Sequence, residues 1–363
     1  MLIPHPPLQT EIHPLPARTI RLVLSLCISI GFNALVSADE LLLADRLEYR
    51  GVAVEDPAMT TWGSSPLKDD QGVYHLFVAR WPSSLKVNPG WRSHSEIAHF
   101  CAPSPTGPFQ FQEVALAGTH KDGNWEKFAP HNPLIKKFGD TYALIYIARM
   151  NPKANNTQRI GLATSSSLSG PWHRRDEPLL SPSIVEGENW TFGSGVGVNN
   201  PAMLQMPDGR FFLYFKAKKK SGGAAKMGLA IADHLEGPYV IQKDPVTDNQ
   251  ASVEDGYVFL GSDQRVHFIT TDNHGILQKG GGLHWVSDDG LKFRSPTQAY
   301  YPLDHYIKKA DYPNAKTIYG PGIWKCERPQ ILVENGEPKW LYAPSGISLD
   351  GDPATESHVF EIK

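Results

Sequence analysis

The sequence predicts an all-β fold, a five-bladed β-propeller of four-stranded antiparallel blades, from three observations. Five segments share one layout: two polar residues, a Pro or Gly, an apolar pair, a short polar turn, then an aromatic-rich strand. A Gly-Pro-aromatic ending recurs in phase with that layout, at Gly107, Gly170 and Gly237. No long window shows the period of a helix, while 9 Trp, 13 Tyr and 15 Phe sit among 32 Gly and 30 Pro, as short strands joined by tight turns require.

Taken in chain order, the units begin at Ser64-Ser65-Pro66 (leading to YHLFVAR), His131-Asn132-Pro133 (YALIYIAR), Asn199-Asn200-Pro201 (FFLYFKAK), Glu254-Asp255-Gly256 (VHFITTD) and Glu327-Arg328-Pro329 (WLYAPS). The third residues of these triplets are separated by steps of 67, 68, 55 and 73, periods that indicate blades or solenoid turns. EIAHFCAPSPTGPF, RIGLATSSSLSGPW and KMGLAIADHLEGPY supply third strands; the fourth copy, GLHWVSDDGLKF, ends in Asp-Asp-Gly instead, and SHVFEI ends the chain. Residues 39–363 are therefore read as a single propeller domain. A hydrophobic fraction of 40%, a charged fraction of 20% and a net charge of -3 suit a soluble globular chain and give no basic footprint for nucleic acid.

Residues 1–38 read as a signal peptide. Arg18 and Arg21 precede an apolar run from Leu22 to Val36, and Val36-Ser37-Ala38 offers small residues for cleavage. The run is shorter than the roughly 20 residues a membrane span needs, so an exported, periplasmic or extracellular protein with no membrane association after cleavage is expected. Cys27 lies in a weak lipoprotein-like box inside this segment. The remaining Cys101 and Cys326 make no disulfide framework, and no Cys/His spacing suggests a zinc site; they are read as buried free thiols, with one bridge as the alternative.

Antiparallel order turns the repeat into geometry. The first strand of each blade starts at the face to which the second returns, so the polar pairs converge with the second-strand ends: Arg80-Trp81, Arg149, Lys216 with Lys218, and Asp272 with His274. Aromatic, amide, carboxylate and cationic groups around one funnel suit a hydroxylated ligand such as a sugar. Paired carboxylates are what glycoside cleavage needs, one to protonate the leaving oxygen and one to activate water or attack carbon. Glu254 and Asp255 are the first candidates, although alternation along a strand lets only one of them face the channel squarely. Asp56 could reach the funnel from the segment entering blade one, or simply make a turn before Pro57. His131 is a candidate acid, metal ligand or simple hydroxyl donor. Trp62, Arg80, Trp81, Asn132, Asn200, His274, Glu327 and Arg328 are candidate substrate contacts, with an ion pair as the structural reading of the last two. Lys216 to Lys220 reads as a solvated loop, and GGAA (222–225) and GGG (280–282) as turn glycines. No cofactor is required; a Ca²⁺ or Na⁺ ion in the channel would suit converging oxygen ligands.

At these same residues, roughly 50–363, the chain resembles the five-bladed propeller glycoside hydrolases of families 43 and 117. The likeness rests on the polar-Pro strand starts, the Gly-Pro-aromatic endings and the segment Val253-Glu254-Asp255-Gly256-Tyr257. It implies a glycosidase acting on oligosaccharides or chain ends of plant or algal glycans, by an inverting paired-acid route in family 43 and with a His acid in family 117. The chain departs from both. Ser65 stands where family 43 places an Asp-Pro in blade one, blades two and three offer His131-Asn132 and Asn199-Asn200, and only blade four supplies Glu-Asp. A non-catalytic carbohydrate-binding propeller is the reading from another class, and a sialidase or lyase using Tyr or His chemistry is a third.

Overall fold

The computed structural model describes residues 42–353 and 355–363; the expected signal peptide and Cys27 lie outside them. Four blades are continuous in sequence, each a four-stranded antiparallel sheet in chain order. Blade one comprises Met59–Lys68, Tyr74–Pro82, Glu96–Ala102 and Gln110–Leu116, and blade two Phe128–Phe138, Thr141–Arg149, Gln158–Ser165 and His173–Arg174. Blade three comprises Asn199–Gln205, Phe211–Ala217, Lys226–Ala232 and Val240–Ile241, and blade four Glu254–Leu260, Val266–Asp272, Gly281–Ser287 and Thr297–Tyr300. Blade five takes three strands from the C-terminal segment, Gln330–Glu334, Glu337–Pro344 and Ser357–Ile362, and its outer strand, Leu47–Val54, from before blade one. The pairing runs from Leu47 opposite Ile362 to Val54 opposite Ser357, so hydrogen bonds between the two ends of the propeller close the ring.

Each second strand is buried on both faces, which is why YALIYIAR reads as a continuous apolar run. Alternate residues still serve different neighbours. Leu144 and Tyr146 pack with Phe77 and Ile97 between blades one and two, while Ile145 and Ile147 share a core with Met203, Leu213 and Phe215 of blade three. Phe212 and Tyr214 turn the other way, onto Val258 and Phe268 of blade four. The Gly-Pro-aromatic endings recur as built features: Gly107, Gly170 and Gly237 all have positive φ, and each precedes a cis proline. Cys101 and Cys326 are free thiols, Cys326 buried but Cys101 only half-buried. Among the described residues no helix is long and apolar enough to cross a membrane.

One backbone device is common to all five strand entries. Gly63, Asn132, Asn200, Asp255 and Arg328 have φ of 60, 50, 52, 57 and 42°. The ladder register slips around Gly63, Asn132, Asn200 and Asp255, as a β-bulge requires, and Arg328 with Pro329 leads into its strand at Gln330. Two corrections follow. The blade-one counterpart of Glu254-Asp255 is Trp62-Gly63, not Ser64-Ser65. Pro66 lies inside the ladder opposite Leu76 and mimics the repeat two residues late. Ser64 and Ser65 instead bond across blades, Ser64 Oγ to Ser357 Oγ at 2.6 Å and Ser65 Oγ accepting the Ile135 N–H at 3.0 Å. The bulge also breaks strict alternation, so both members of a pair can turn to the axis.

Candidate active site

The five strand entries surround one cavity of about 280 Å³ at the end of the propeller axis. Its floor and one side carry the acids: Glu254 and Asp255 of blade four and Glu327 of blade five all line it. Lys216, at the end of blade three's second strand, donates to Glu254 Oε2 at 2.7 Å. That ammonium holds the Glu254 carboxyl below its usual range despite burial, which acts against it. Burial also opposes the charge on Lys216, yet Glu254 and Asp255 more than compensate and raise its pKa. Lys216 is therefore a paired site residue rather than part of a solvated lysine loop.

Asp255 is the opposite case. It is buried, accepts from Asn200 Nδ2 at 2.7 Å, and has an ionised neighbour in Glu254. Burial first, then that neighbour, pushes its carboxyl up to about 7, with Arg328 and Lys216 pulling the other way. Two adjacent carboxyls thus stand on opposite sides of their ordinary range, one charged and one protonated near neutrality. Glu327 is clamped between the Tyr319 hydroxyl and Lys325 Nζ, which donates to Oε1 at 2.6 Å.

The facing wall is aromatic. Trp62, Trp81 and Trp91 line it with His131, whose ring lies 5.8 Å from Trp81 and 5.2 Å from Trp91. His131 Nδ1 shares a hydrogen bond with Ser95 Oγ at 2.9 Å. Its burial, with Arg149 and Arg328 nearby, holds its pKa well below the usual value, so the ring is neutral. Arg149 lies over Trp91 at 4.2 Å and backs the same wall.

Beneath the cavity a single guanidinium ties the ring together. Arg328 leaves blade five and donates from Nη2 to Asn132 O of blade two at 3.0 Å and to Pro201 O of blade three at 3.3 Å. It also supports the Asp255 charge in blade four. In blade one its Cγ would lie 3.0 Å from a Cβ on Gly63, a tight approach that glycine, at a φ of 60°, accommodates without displacing it. Contact with all four other blades puts the guanidinium on the axis, a fixed cation in the channel. An amide relay runs beside it, Asn132 Nδ2 donating to Asn200 Oδ1 at 2.8 Å and Asn200 on to Asp255.

Of the sequence candidates, the cavity brings together Glu254, Asp255, His131, Trp62, Trp81, Asn132, Asn200 and Glu327. Arg328 sits under it. Asp56, Arg80 and His274 are not among its lining residues. Asp56 Oδ1 accepts the Ala58 N–H at 3.0 Å as a turn residue, and its other oxygen lies 3.6 Å from Arg80. Arg80 also bonds Glu96 at 2.9 Å and stacks on Phe111 at 4.2 Å. His274 is exposed, though near enough to bias Glu254 toward its charged form. Asp272, another second-strand end, spends its carboxylate on the four backbone N–H groups of residues 275–278. Trp91, Arg92 and Tyr319 were not anticipated. They come from segments between the repeat strands, residues 83–95 and 301–329, where the repeat carries no signal.

No family model matches the chain. Two curated relatives match part of it. The extracellular endo-α-(1→5)-L-arabinanase 2 of Bacillus subtilis (strain 168) is 24% identical over 211 residues, 55% of this chain and 42% of the relative. The extracellular endo-α-(1→5)-L-arabinanase of Thermotoga petrophila is 24% identical over 207 residues, 53% of this chain and 42% of the relative. The match thus spans less than half the length of either relative. Among solved structures, a family 117 glycoside hydrolase from the marine bacterium Zobellia galactanivorans superposes with a TM-score of 0.63 at 17% identity, covering 87% of this chain and 90% of the other. A family-43 β-xylosidase/α-arabinofuranosidase from a compost metagenome gives 0.57 at 16% identity, covering 86% and 94%. The fold is that of the five-bladed propeller glycoside hydrolases.

Proposed function

We propose that the chain is an exported glycoside hydrolase that acts on oligosaccharides or chain ends of plant or algal glycans. The observation that carries this reading is the Glu254–Asp255 pair, two carboxyls in one cavity whose surroundings drive their protonation apart. The expected signal peptide, with the word extracellular in both relatives' names, supports export.

The residues divide the work as follows. The tryptophan wall receives the C–H face of a sugar ring, and Asn199, Asn200 and neutral His131 offer hydrogen bonds to its hydroxyls. Asp255, protonated up to about pH 7, donates a proton to the leaving glycosidic oxygen. Glu254, kept ionised by Lys216, draws a proton from the attacking water, and the anomeric centre inverts. Glu327 and the Arg328 guanidinium set the local charge, so no channel Ca²⁺ or Na⁺ and no cofactor is required.

The test is reducing-end release from arabino-, xylo- and algal oligosaccharides, with the anomer of the first product followed by NMR. Turnover with inversion that collapses in both Glu254→Gln and Asp255→Asn is expected. Undiminished hydrolysis in both variants would remove the assignment. A second reading, a carbohydrate-binding propeller without turnover, is favoured by Trp62 and Asn199, which occupy two strand entries with no carboxylate. Calorimetric binding of an oligosaccharide with no product after days would select it.

A further inference from the structure

At the opposite end of blade one, the second and third strands bring His75 beside His99 and Cys101, which follow it by 24 and 26 residues. His75 Nδ1 and His99 Nε2 are 2.8 Å apart, and Cys101 Sγ lies 3.2 Å from the first and 3.4 Å from the second. His75 pairs directly with Cys101 across the ladder, and His99 is two residues back on the same face. The second strand starts and the third ends here, so the cluster is on the face away from the cavity.

The outer ring nitrogens fix the protons. His75 Nε2 lies 3.2 Å from Asp69 Oδ2, and Asp69 is itself held by the Gln71 and Val73 N–H groups. His99 Nδ1 lies 3.5 Å from Glu113 Oε1, a charge contact; both atoms are buried, and neither has a hydrogen-bond partner. An ionised carboxylate only accepts. With each ring's N–H on the outer nitrogen, toward its carboxylate, the two inner nitrogens present lone pairs to each other with the thiol beside them. One S–H hydrogen cannot serve both nitrogens. A cation bonded to two imidazoles and a thiolate would satisfy all three atoms, and each histidine would keep the outer carboxylate that commonly orients such ligands.

We propose that His75, His99 and Cys101 form a structural zinc site. Nitrogen and sulfur ligands at tetrahedral angles around Zn²⁺ stand about 3.3 Å (N to N) and 3.6 Å (N to S) apart, a few tenths of an ångström wider than here. A metal about 2.1 Å from the nitrogens and about 2.3 Å from the sulfur lies off their plane, with the fourth position open to water or a carboxylate oxygen. Two imidazoles and a thiolate suit a borderline-soft cation over Ca²⁺ or Mg²⁺. On binding, the Cys101 S–H bond breaks, sulfur keeps the electron pair for the metal, and the proton leaves to water.

Blade four supplies an internal control. His267 Nδ1 and His284 Nε2 face each other at 2.9 Å, and His267 Nε2 meets Asp263 Oδ1 at 3.0 Å. Val286 stands opposite His267 where Cys101 stands opposite His75. There the histidine pair has no thiol beside it, so a third soft ligand is missing.

The experiment titrates the untagged, chelator-stripped chain with Co²⁺ and then Zn²⁺. One equivalent of Co²⁺ should give a near-ultraviolet thiolate-to-cobalt band with strong tetrahedral visible bands, which Zn²⁺ removes. Cys101→Ser and His99→Gln should lose the band, and His284→Gln and Asp255→Asn should keep it. Absence of the band in the wild type, or its persistence in Cys101→Ser, would overturn the site. Should those variants fail to fold, alkylation of the wild type decides: Zn²⁺ should slow iodoacetamide modification of Cys101 at least tenfold, and an unchanged rate would overturn the site. Loss of the zinc site would leave the hydrolase reading untouched, since the two lie at opposite ends of the blades.

Discussion

Blades one and four carry the same two features at matching positions, a left-handed strand entry at the cavity and a facing histidine pair at the far end, but equip them differently. At the cavity, blade four has Glu254-Asp255 where blade one has Trp62-Gly63. One backbone device thus presents an acid pair from one side and a stacking surface with an empty Cβ position from the other. At the far end the contrast is Cys101 against Val286, a ligand against a packing methyl. The scaffold repeats while the chemistry does not, so function here depends on which side chain each copy of the bulge displays.

The largest expected effect tests the acid side. Glu254→Gln and Asp255→Asn should each lower kcat by about 10²–10⁴-fold, the usual contribution of a positioned acid or base. Equal loss of kcat and kcat/KM would mark a transition-state role. Next comes the empty side. Gly63→Ala forces a Cβ into a φ of +60° and against Arg328 Cγ, and should cost about 1–3 kcal/mol in urea unfolding. A neutral result would mean the axial guanidinium is free to shift. Trp62→Ala should weaken oligosaccharide binding by roughly tenfold and raise KM more than it lowers kcat, the loss of a stacking face; an unchanged KM would move the sugar away from blade one.

A further effect concerns pH. In the folded chain Asp255 keeps its proton up to about 7, whereas unfolded it loses it near the ordinary carboxylate value of about 4. The folded state binds more protons between those limits, so this stabilisation is complete below pH ~4 and is lost as pH rises through about 7. Buried Glu356, also raised to about 7, acts in the same direction. Melting temperatures from pH 4 to 7.5 should therefore decline less steeply in Asp255→Asn, with the Glu356 part remaining. An unaltered slope would mean that Asp255 ionises normally.

How much of this was legible in the sequence varied with distance along the chain. Five blades could be read because the polar-Pro entry and the Gly-Pro ending are local signals with a fixed period. Glu254 and Asp255 stood out because their copy differs from its neighbours. Trp62-Gly63 did not, since Ser65-Pro66 imitates the entry two residues later, and only the cross-strand register separates them. Trp91 and Tyr319 lie in segments outside the repeat, and Lys216 reads both as a second-strand end at the funnel and as the start of a solvated lysine run, which only its contact with Glu254 separates. His75 and Cys101 are 26 residues apart and become neighbours only through strand pairing. The outer strand of blade five could not be found by counting forward, because it precedes the first copy.

That borrowed strand has a consequence for assembly. Arg328 belongs to the blade that Leu47–Val54 completes, so the cation under the cavity is set by the last part of the ring to be synthesised. A chain released before Glu327 would hold four finished blades and the tryptophan wall, but neither Glu327 nor the Arg328 charge. The pocket is then complete only in a closed ring, and an unclosed one presents bare strand edges instead.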